Sequence, residues 1–287
     1  MVAILIIVTL ITNGILSFAW AQEKKYISLD MLDSAYHTSR YTLNTDDLYG
    51  VDETVELYNT FLLDSQVLVV FSVLPDFESK QNWKQVDIET IRDQIVPERT
   101  FYDLMREKSY TEASSAKKSM GYTLLKVVDG KYFASTYCLF EFFVIRNYPD
   151  VFNTVYGMIN TGQKYFTIAE MLDLYNRNNI DHGFPLDIIA GPKVMRDREL
   201  LQREYLSKSL DINGEKAYQF WTFTDWNVSD GWNVHRGIDR FIYIPNRGIV
   251  AGSYDFYFRF KNPRDYSEEE WRQDILKEKV MLAEELK

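Results

Sequence analysis

The sequence predicts an α+β fold, with an antiparallel sheet of hairpin-connected strands, helices packed on it and an amphipathic helix at the C-terminus. Three observations carry that prediction. Asp129-Gly130 and Asn213-Gly214 each separate two apolar runs, where the dipeptide supplies the positive φ angles of a type I′ hairpin. The stretch from Tyr132 to Ile145 is apolar on both faces, as a central strand covered front and back must be. Thr167-Ile-Ala-Glu170 and Ser267-Glu-Glu-Glu270 are capping-box patterns, each opening a helical segment.

Taken in order, the chain begins with an uncharged apolar run, Val2 to Trp20, that ends in the small-x-small triplet Ala19-Trp20-Ala21 before Gln22, Glu23, Lys24 and Lys25. This is the layout of a cleaved export signal over residues 1–21, and it predicts a secreted or periplasmic protein. A run of about 19 residues is also long enough to cross a bilayer, so the alternative is an uncleaved N-terminal anchor and membrane attachment through it. No Pro, Gly or Ser linker interrupts residues 22–287, which are expected to form a single α+β domain.

Within that domain, Asp52 to Leu63 places Val55, Leu57, Tyr58, Phe61 and Leu62 at mixed three-and-four spacing, which predicts a helix. A second helix is expected over Asp87 to Ile95, with Ile88, Ile91 and Ile95 on one face and Pro97 ending the run. The strand from Tyr132 to Ile145 turns Phe140, Phe142 and Val144 one way and Leu139, Phe143 and Ile145 the other. "IAEMLDLYNR" follows Thr167 as a helix that ends at Asn178-Asn179. Pro245-Asn-Arg-Gly248 marks a third hairpin return. Ser253 to Lys261 alternates as a half-buried strand, Tyr254, Phe256, Phe258 and Phe260 inward and Asp255, Tyr257, Arg259 and Lys261 outward. The last helix carries Trp271, Ile275, Leu282 and Leu286 on its apolar side.

Glu141 stands between Phe140 and Phe142, and Arg259 between Phe258 and Phe260. A carboxylate buried alone costs several kcal/mol, so the two are expected to meet as a buried structural ion pair.

Composition excludes several classes of function. With 32 basic against 42 acidic residues the formal charge is −10, and no basic stripe offsets it, which argues against nucleic acid as a partner. The single cysteine, Cys138, forms no internal disulfide, and in "STYCLFEFF" it reads as a small buried residue. His37, His182 and His235 are far apart and no His-Glu-x-x-His or Cys pair is present, so no metal site is predicted. The calcium-loop likeness of "YNRNNIDHGF" fails at Ile180 and Asp181. Neither a Gly-x-Ser-x-Gly elbow nor a phosphate-cradling glycine loop occurs, and no cofactor is implied.

The chemistry concentrates in "WNVSDGWNVHRGIDRF", residues 226–241, expected to join two strands at one end of the sheet. Trp226 and Trp232 offer flat apolar faces, and His235, Arg236 and Asp239 offer hydrogen bonds, a mixture that suits a glycan, peptide or other small ligand. The competing reading folds both indoles over the sheet edge and leaves the charges solvated. Ser229, His235 and Asp239 are the residue types of a catalytic triad, but a triad is defined by geometry. Asn227-Val-Ser229 is a glycan-acceptor pattern. The reading favoured is an exported binding or interaction protein without catalysis of its own, whose ligand is a small molecule, a glycan or a protein. Its competitors are an extracytoplasmic hydrolase using Asp225, Asp230 and Asp239 beside His235, and a structural component of an envelope assembly.

Overall fold

The computed structural model describes residues 24–110, 117–149, 156–178, 203–223, 237–261 and 267–287. The expected export signal lies outside them.

In chain order the first half contains β1 (Lys25–Ser28), α1 (Leu29–Ala35), β2 (His37–Asn44), α2 (Asp46–Tyr49), β3 (Thr54–Leu62), β4 (Val67–Leu74), β5 (Trp83–Val86), α3 (Ile88–Ile91) and α4 (Glu98–Ser109). There follow β6 (Lys118–Ser119), β7 (Tyr122–Val128), β8 (Lys131–Ser135), β9 (Tyr137–Arg146), β10 (Met158–Asn160) and α5 (Ile168–Asn178). The last part holds β11 (Arg203–Ile212), β12 (Glu215–Phe223), β13 (Arg240–Ile244), β14 (Gly248–Ser253), α6 (Asp255–Lys261), α7 (Glu268–Leu276) and β15 (Met281–Leu282). The architecture is α+β, with strands gathered into three sheets of mainly antiparallel pairs and helices packed beside them.

The central sheet runs β10-β9-β4-β3-β2, with β6 also on β9. A smaller sheet, β1-β7-β8-β5, lies over one face, and a five-stranded sheet, β11-β12-β13-β14-β15, over the other. The sequence of β4, "VLVVFSVL", shows why the central sheet is covered twice. Leu68, Val70 and Leu74 point into the core shared with the five-stranded sheet, and Val67, Val69, Phe71 and Val73 into the core shared with the smaller sheet and helices α1 and α4. The run expected as one strand from Tyr132 to Ile145 breaks at Thr136 into the end of β8, in the smaller sheet, and β9, in the central sheet; within β9 the faces divide as the pattern predicts, with Leu139 and Phe143 in the first core and Phe140, Phe142 and Val144 in the second.

The predicted local signals are present. Asp129 and Gly130 take φ 50° and 73°, and Asn213 and Gly214 take 54° and 84°, closing the β7–β8 and β11–β12 hairpins. The third return joins β13 to β14. Both capping boxes form: Glu170 N–H donates to Thr167 Oγ1 at 3.1 Å, and Glu270 N–H to Ser267 Oγ at 3.2 Å.

Four further expectations are corrected. Asp52 to Leu63 is not a helix but the strand β3, paired with both β2 and β4. It is buried on both faces, so its apolar residues carry no clean period of two, and mixed spacing mimics a helix. The stretch expected as a strand over Ser253 to Lys261 leaves the sheet after Ser253 and forms α6. Tyr254, Asp255, Phe256, Tyr257 and Phe258 are all buried, so the inward-outward alternation does not exist, and Asp255 and Tyr257 lie inside. The Asp87 helix shortens to α3 followed by a 3₁₀ turn, Arg92–Gln94. The C-terminal helix stops at Leu276; Glu278 takes φ 50°, Leu282 belongs to β15 on the sheet edge, and Leu286 lies in a 3₁₀ turn.

Asn59 on β3 joins two sheets. Its side-chain amide donates to Ile249 C=O at 3.0 Å and accepts from Ile249 N–H at 2.8 Å, as a neighbouring peptide group would. The close approach needs Gly248, where a Cβ would stand 2.5 Å from Asn59 Oδ1.

Candidate functional site

Of the predicted ligand-contacting residues, Trp226, Trp232, His235 and Arg236 lie outside the described residues, as do Asp225, Asn227, Ser229 and Asp230. The two ends from which that segment departs are described. On one side β12 runs to Phe223; on the other the chain resumes at Gly237-Ile238-Asp239 and enters β13.

These ends are tied to each other and to the core. Thr222 N–H donates to Asp239 C=O at 2.8 Å, and Asp239 N–H to Ser253 C=O at 2.9 Å, so the ladder of the five-stranded sheet extends to the last described residues. The Asp239 side chain, expected to face a ligand, turns inward. It is 3% exposed, and its Oδ2 accepts the Asp255 N–H at 2.7 Å, which caps the first turn of α6 with a negative charge.

The next residue, Arg240, is also buried. Its guanidinium grips Asp255 through both terminal nitrogens, Nη2 to Oδ1 at 3.0 Å, while Nε donates to Lys279 C=O at 2.9 Å. Tyr49 donates its hydroxyl to the same Asp255 Oδ1 at 3.0 Å, and that hydroxyl accepts the Tyr254 N–H at 2.6 Å. Burial opposes the Arg240 charge, and the Asp255 carboxylate outweighs it, holding the guanidinium firmly protonated. The Tyr49 ring stacks on Phe258 at 3.9 Å. A forked cation, a carboxylate and a phenol thus join β13, α6 and α2 at the root of the 224–236 segment. Sequence reading missed Arg240 and Asp255 as partners. The signal was there in each alone, a charge at the edge of an aromatic run, but nothing in the spacing says that the two meet.

On the facing sheet, Glu141 is 2% exposed in the middle of β9. Its Oε2 accepts the Ile238 N–H at 3.0 Å, and its Oε1 lies against Gly237, where a Cβ would come within 2.3 Å. Gly237 takes φ 97°, a conformation that glycine alone adopts at little cost. The expected partnership with Arg259 is replaced by this one. Arg259 sits on α6, not on a strand across from β9, and the hydrogen-bond donor that Glu141 finds among the described residues is the backbone of the segment's root.

Burial pushes the Glu141 carboxyl up to about 8, against the opposing pull of the Ile238 N–H and the charge of Lys118, its register neighbour on β6. A second buried glutamate, Glu204 on β11, is pushed up by burial to about 7. It is better served, since Gly157 N–H at 2.9 Å and Met158 N–H at 3.0 Å both donate to its Oε2, and Lys117 lies near. Cys138 is buried in the same strand as Glu141, and burial pushes its thiol up to about 12, which keeps it from acting as a nucleophile.

Two hollows accompany these groups. A space of about 10 Å³ lies between Trp221, Thr222, Asp239, Arg240 and Asp255. A wider open cleft of about 360 Å³ lies between α2 and α7, lined by Asp46, Asp47, Glu269, Glu270 and Asp274 with Lys279. Four of its acids are already engaged, Asp274 with Lys279 at 2.6 Å, Asp47 with Lys287 at 2.5 Å, Glu270 with Ser267 in the capping box and Glu269 with the Gln273 side-chain amide at 2.9 Å. No group of three or more His, Cys, Asp or Glu side chains is placed to hold a metal ion among the described residues.

Compared with protein-family models, with characterised proteins and with solved structures, the chain matches none.

Proposed function

We propose that this is an exported binding protein that presents residues 224–236 to an extracytoplasmic ligand, without catalysis of its own. Trp226 and Trp232 supply the flat apolar faces, and His235 and Arg236 the hydrogen bonds, for a ligand that is a glycan or a peptide. The observation that supports this reading is the anchoring of the segment's root. Both flanking strands are hydrogen-bonded to each other up to Thr222 and Asp239, and Glu141 and Asp255 hold the chain between Ile238 and Arg240 from either side. A connecting segment carried by so fixed a base is a usual way for a scaffold to present recognition residues.

Of the acids in the hydrolase reading, the one among the described residues, Asp239, has a structural task, as the other buried acids of this region do. Asp239, Glu141 and Glu204 each accept backbone N–H groups, and Asp255 is held by Arg240 and Tyr49, so each already has a structural task. Asp239 in particular is withdrawn from the surface, which leaves Trp226, Trp232, His235 and Arg236 as the contact residues.

The test is the double variant Trp226→Ala/Trp232→Ala, screened with the wild type on immobilised glycans and peptides. The expected result is retained thermal stability with loss of the ligand that the wild type captures. A loss of several kcal/mol of stability would mean that the indoles are core, and the reading would fall. Export is tested separately by sequencing the N-terminus of the released protein, which is expected to begin at Gln22.

A further inference from the structure

The seam between the central sheet and the five-stranded sheet contains more ionisable groups than a purely apolar interface needs, and they are unequally provided for. Glu204 receives two backbone N–H donors and lies near Lys117, whose Nζ donates to Tyr156 C=O at 2.9 Å. Among the described residues Glu141 receives one N–H donor, with its second oxygen pressed against Gly237. The groups that face Glu141 are Lys118 from β6, Glu204 from β11, Asp239 from the entry to β13, and the Tyr254 hydroxyl, which donates to Ser72 Oγ at 2.8 Å. Two further acids and one amine act on a carboxyl that is 2% exposed.

We propose that Glu141 is a proton-dependent lock between the two sheets: with its carboxyl uncharged, the Gly237–Ile238 backbone docks on β9, and loss of the proton releases that dock. The geometry explains why the lock is specific. The absent side chain of Gly237 makes the space that Oε1 occupies, and the Ile238 N–H fixes Oε2, so one carboxyl engages two consecutive residues of the facing sheet. An uncharged carboxyl is buried there at small cost, whereas a carboxylate has, among the described residues, one backbone N–H donor where Glu204 has two, and lies beside Asp239.

The sign follows from linkage. The closed state holds the proton to about pH 8, while an opened, solvated Glu141 releases it near the ordinary glutamate value of about 4.5. Between those values each opening frees one proton, so the open population rises about ten-fold per pH unit.

Native-state hydrogen exchange of the intact protein reads this at the Ile238 amide. Exchange at an ordinary amide rises about ten-fold per pH unit through base catalysis, and the lock adds another ten-fold, so the rate at Ile238 is expected to rise about one hundred-fold per unit between pH 5.5 and 7.5. Glu141→Gln, which keeps the shape and an acceptor oxygen but cannot ionise, is expected to return Ile238 to the ordinary ten-fold dependence. Glu204→Gln is expected to leave the steep dependence in place. An ordinary ten-fold dependence in the wild-type protein, which needs no variant to measure, would overturn the proposal. So would a steep dependence that survives Glu141→Gln, or one abolished by Glu204→Gln instead. Because ligand binding is not read, failure here leaves the binding reading standing, and failure of the tryptophan variant leaves the lock standing.

Discussion

Arg240–Asp255 and Glu141 are both buried, both at the root of the same segment, and solved in opposite ways. Asp255 meets a guanidinium through two nitrogens, a phenol at 3.0 Å and, through the same guanidinium, the carbonyl of Lys279. Its charge is matched on the spot. Among the described residues Glu141 meets one N–H donor and a glycine, and the cheaper solution there is to keep its proton. The difference teaches that burial by itself does not decide whether an acid is charged; the number and kind of donors that the fold brings to it do.

The comparison can be broken most forcefully at its charged side. Asp255→Ala leaves the Arg240 cation buried without its partner and is expected to cost about 3–5 kcal/mol in urea unfolding, whereas the joint replacement Arg240→Met/Asp255→Leu is expected to recover a large part of that loss. If the single and joint variants lose equally, the pair is not coupled as described. At the other side, the stability of the wild-type protein is expected to fall as pH rises. A raised folded-state value means that the stabilisation is full below about 4.5 and is lost as pH climbs to about 8, by an amount on the order of a few kcal/mol. Glu141→Gln is expected to flatten that slope in a series of urea melts from pH 5 to 8.5.

Smaller effects sharpen the contact itself. Gly237→Ala forces a side chain into the space of Glu141 Oε1 at a left-handed φ and is expected to cost about 1–3 kcal/mol. A double-mutant cycle with Glu141→Ala is expected to return part of it, because the clash is relieved and the backbone strain is not. Ser267→Ala touches neither site. It removes one N-cap and is expected to cost about 1 kcal/mol at every pH, which makes it the reference against which pH-dependent losses are judged.

How much of this was legible in the sequence depended on whether the signal was local. Asp129-Gly130 and Asn213-Gly214 dictate their turns through the φ angles of two residues, and Thr167 and Ser267 cap helices within four residues, so these features were read correctly. β9 was legible as a strand covered on both faces, but its start was not: the run read from Tyr132 breaks at Thr136, where the chain passes from the smaller sheet to the central one. β3 and α6 were misread for a shared reason: Val55 to Leu62 and Tyr254 to Phe258 are buried nearly all round, and complete burial erases the period by which strand and helix are told apart. The contacts at the root of the 224–236 segment were not legible. Asp239 was expected to face a ligand, yet it turns inward to Asp255, 16 residues on, and the bond of Glu141 to Ile238 spans 97 residues. Separations of that kind are fixed by packing, which no short pattern records.

The claim on which the comparison rests is that Glu141 holds its proton in the folded protein near neutral pH. Carbon-13 NMR of the glutamate side-chain carboxyls, followed from pH 3 to 9 in the wild type and in Glu141→Gln, measures it directly. The prediction is a carboxyl resonance that moves near pH 8 and is missing from the variant, with a second one, from Glu204, moving near 7 in both proteins. If the resonance lost in Glu141→Gln instead moves in the ordinary range near 4.5, the carboxyl is charged in the fold, and the contrast with Asp255 disappears.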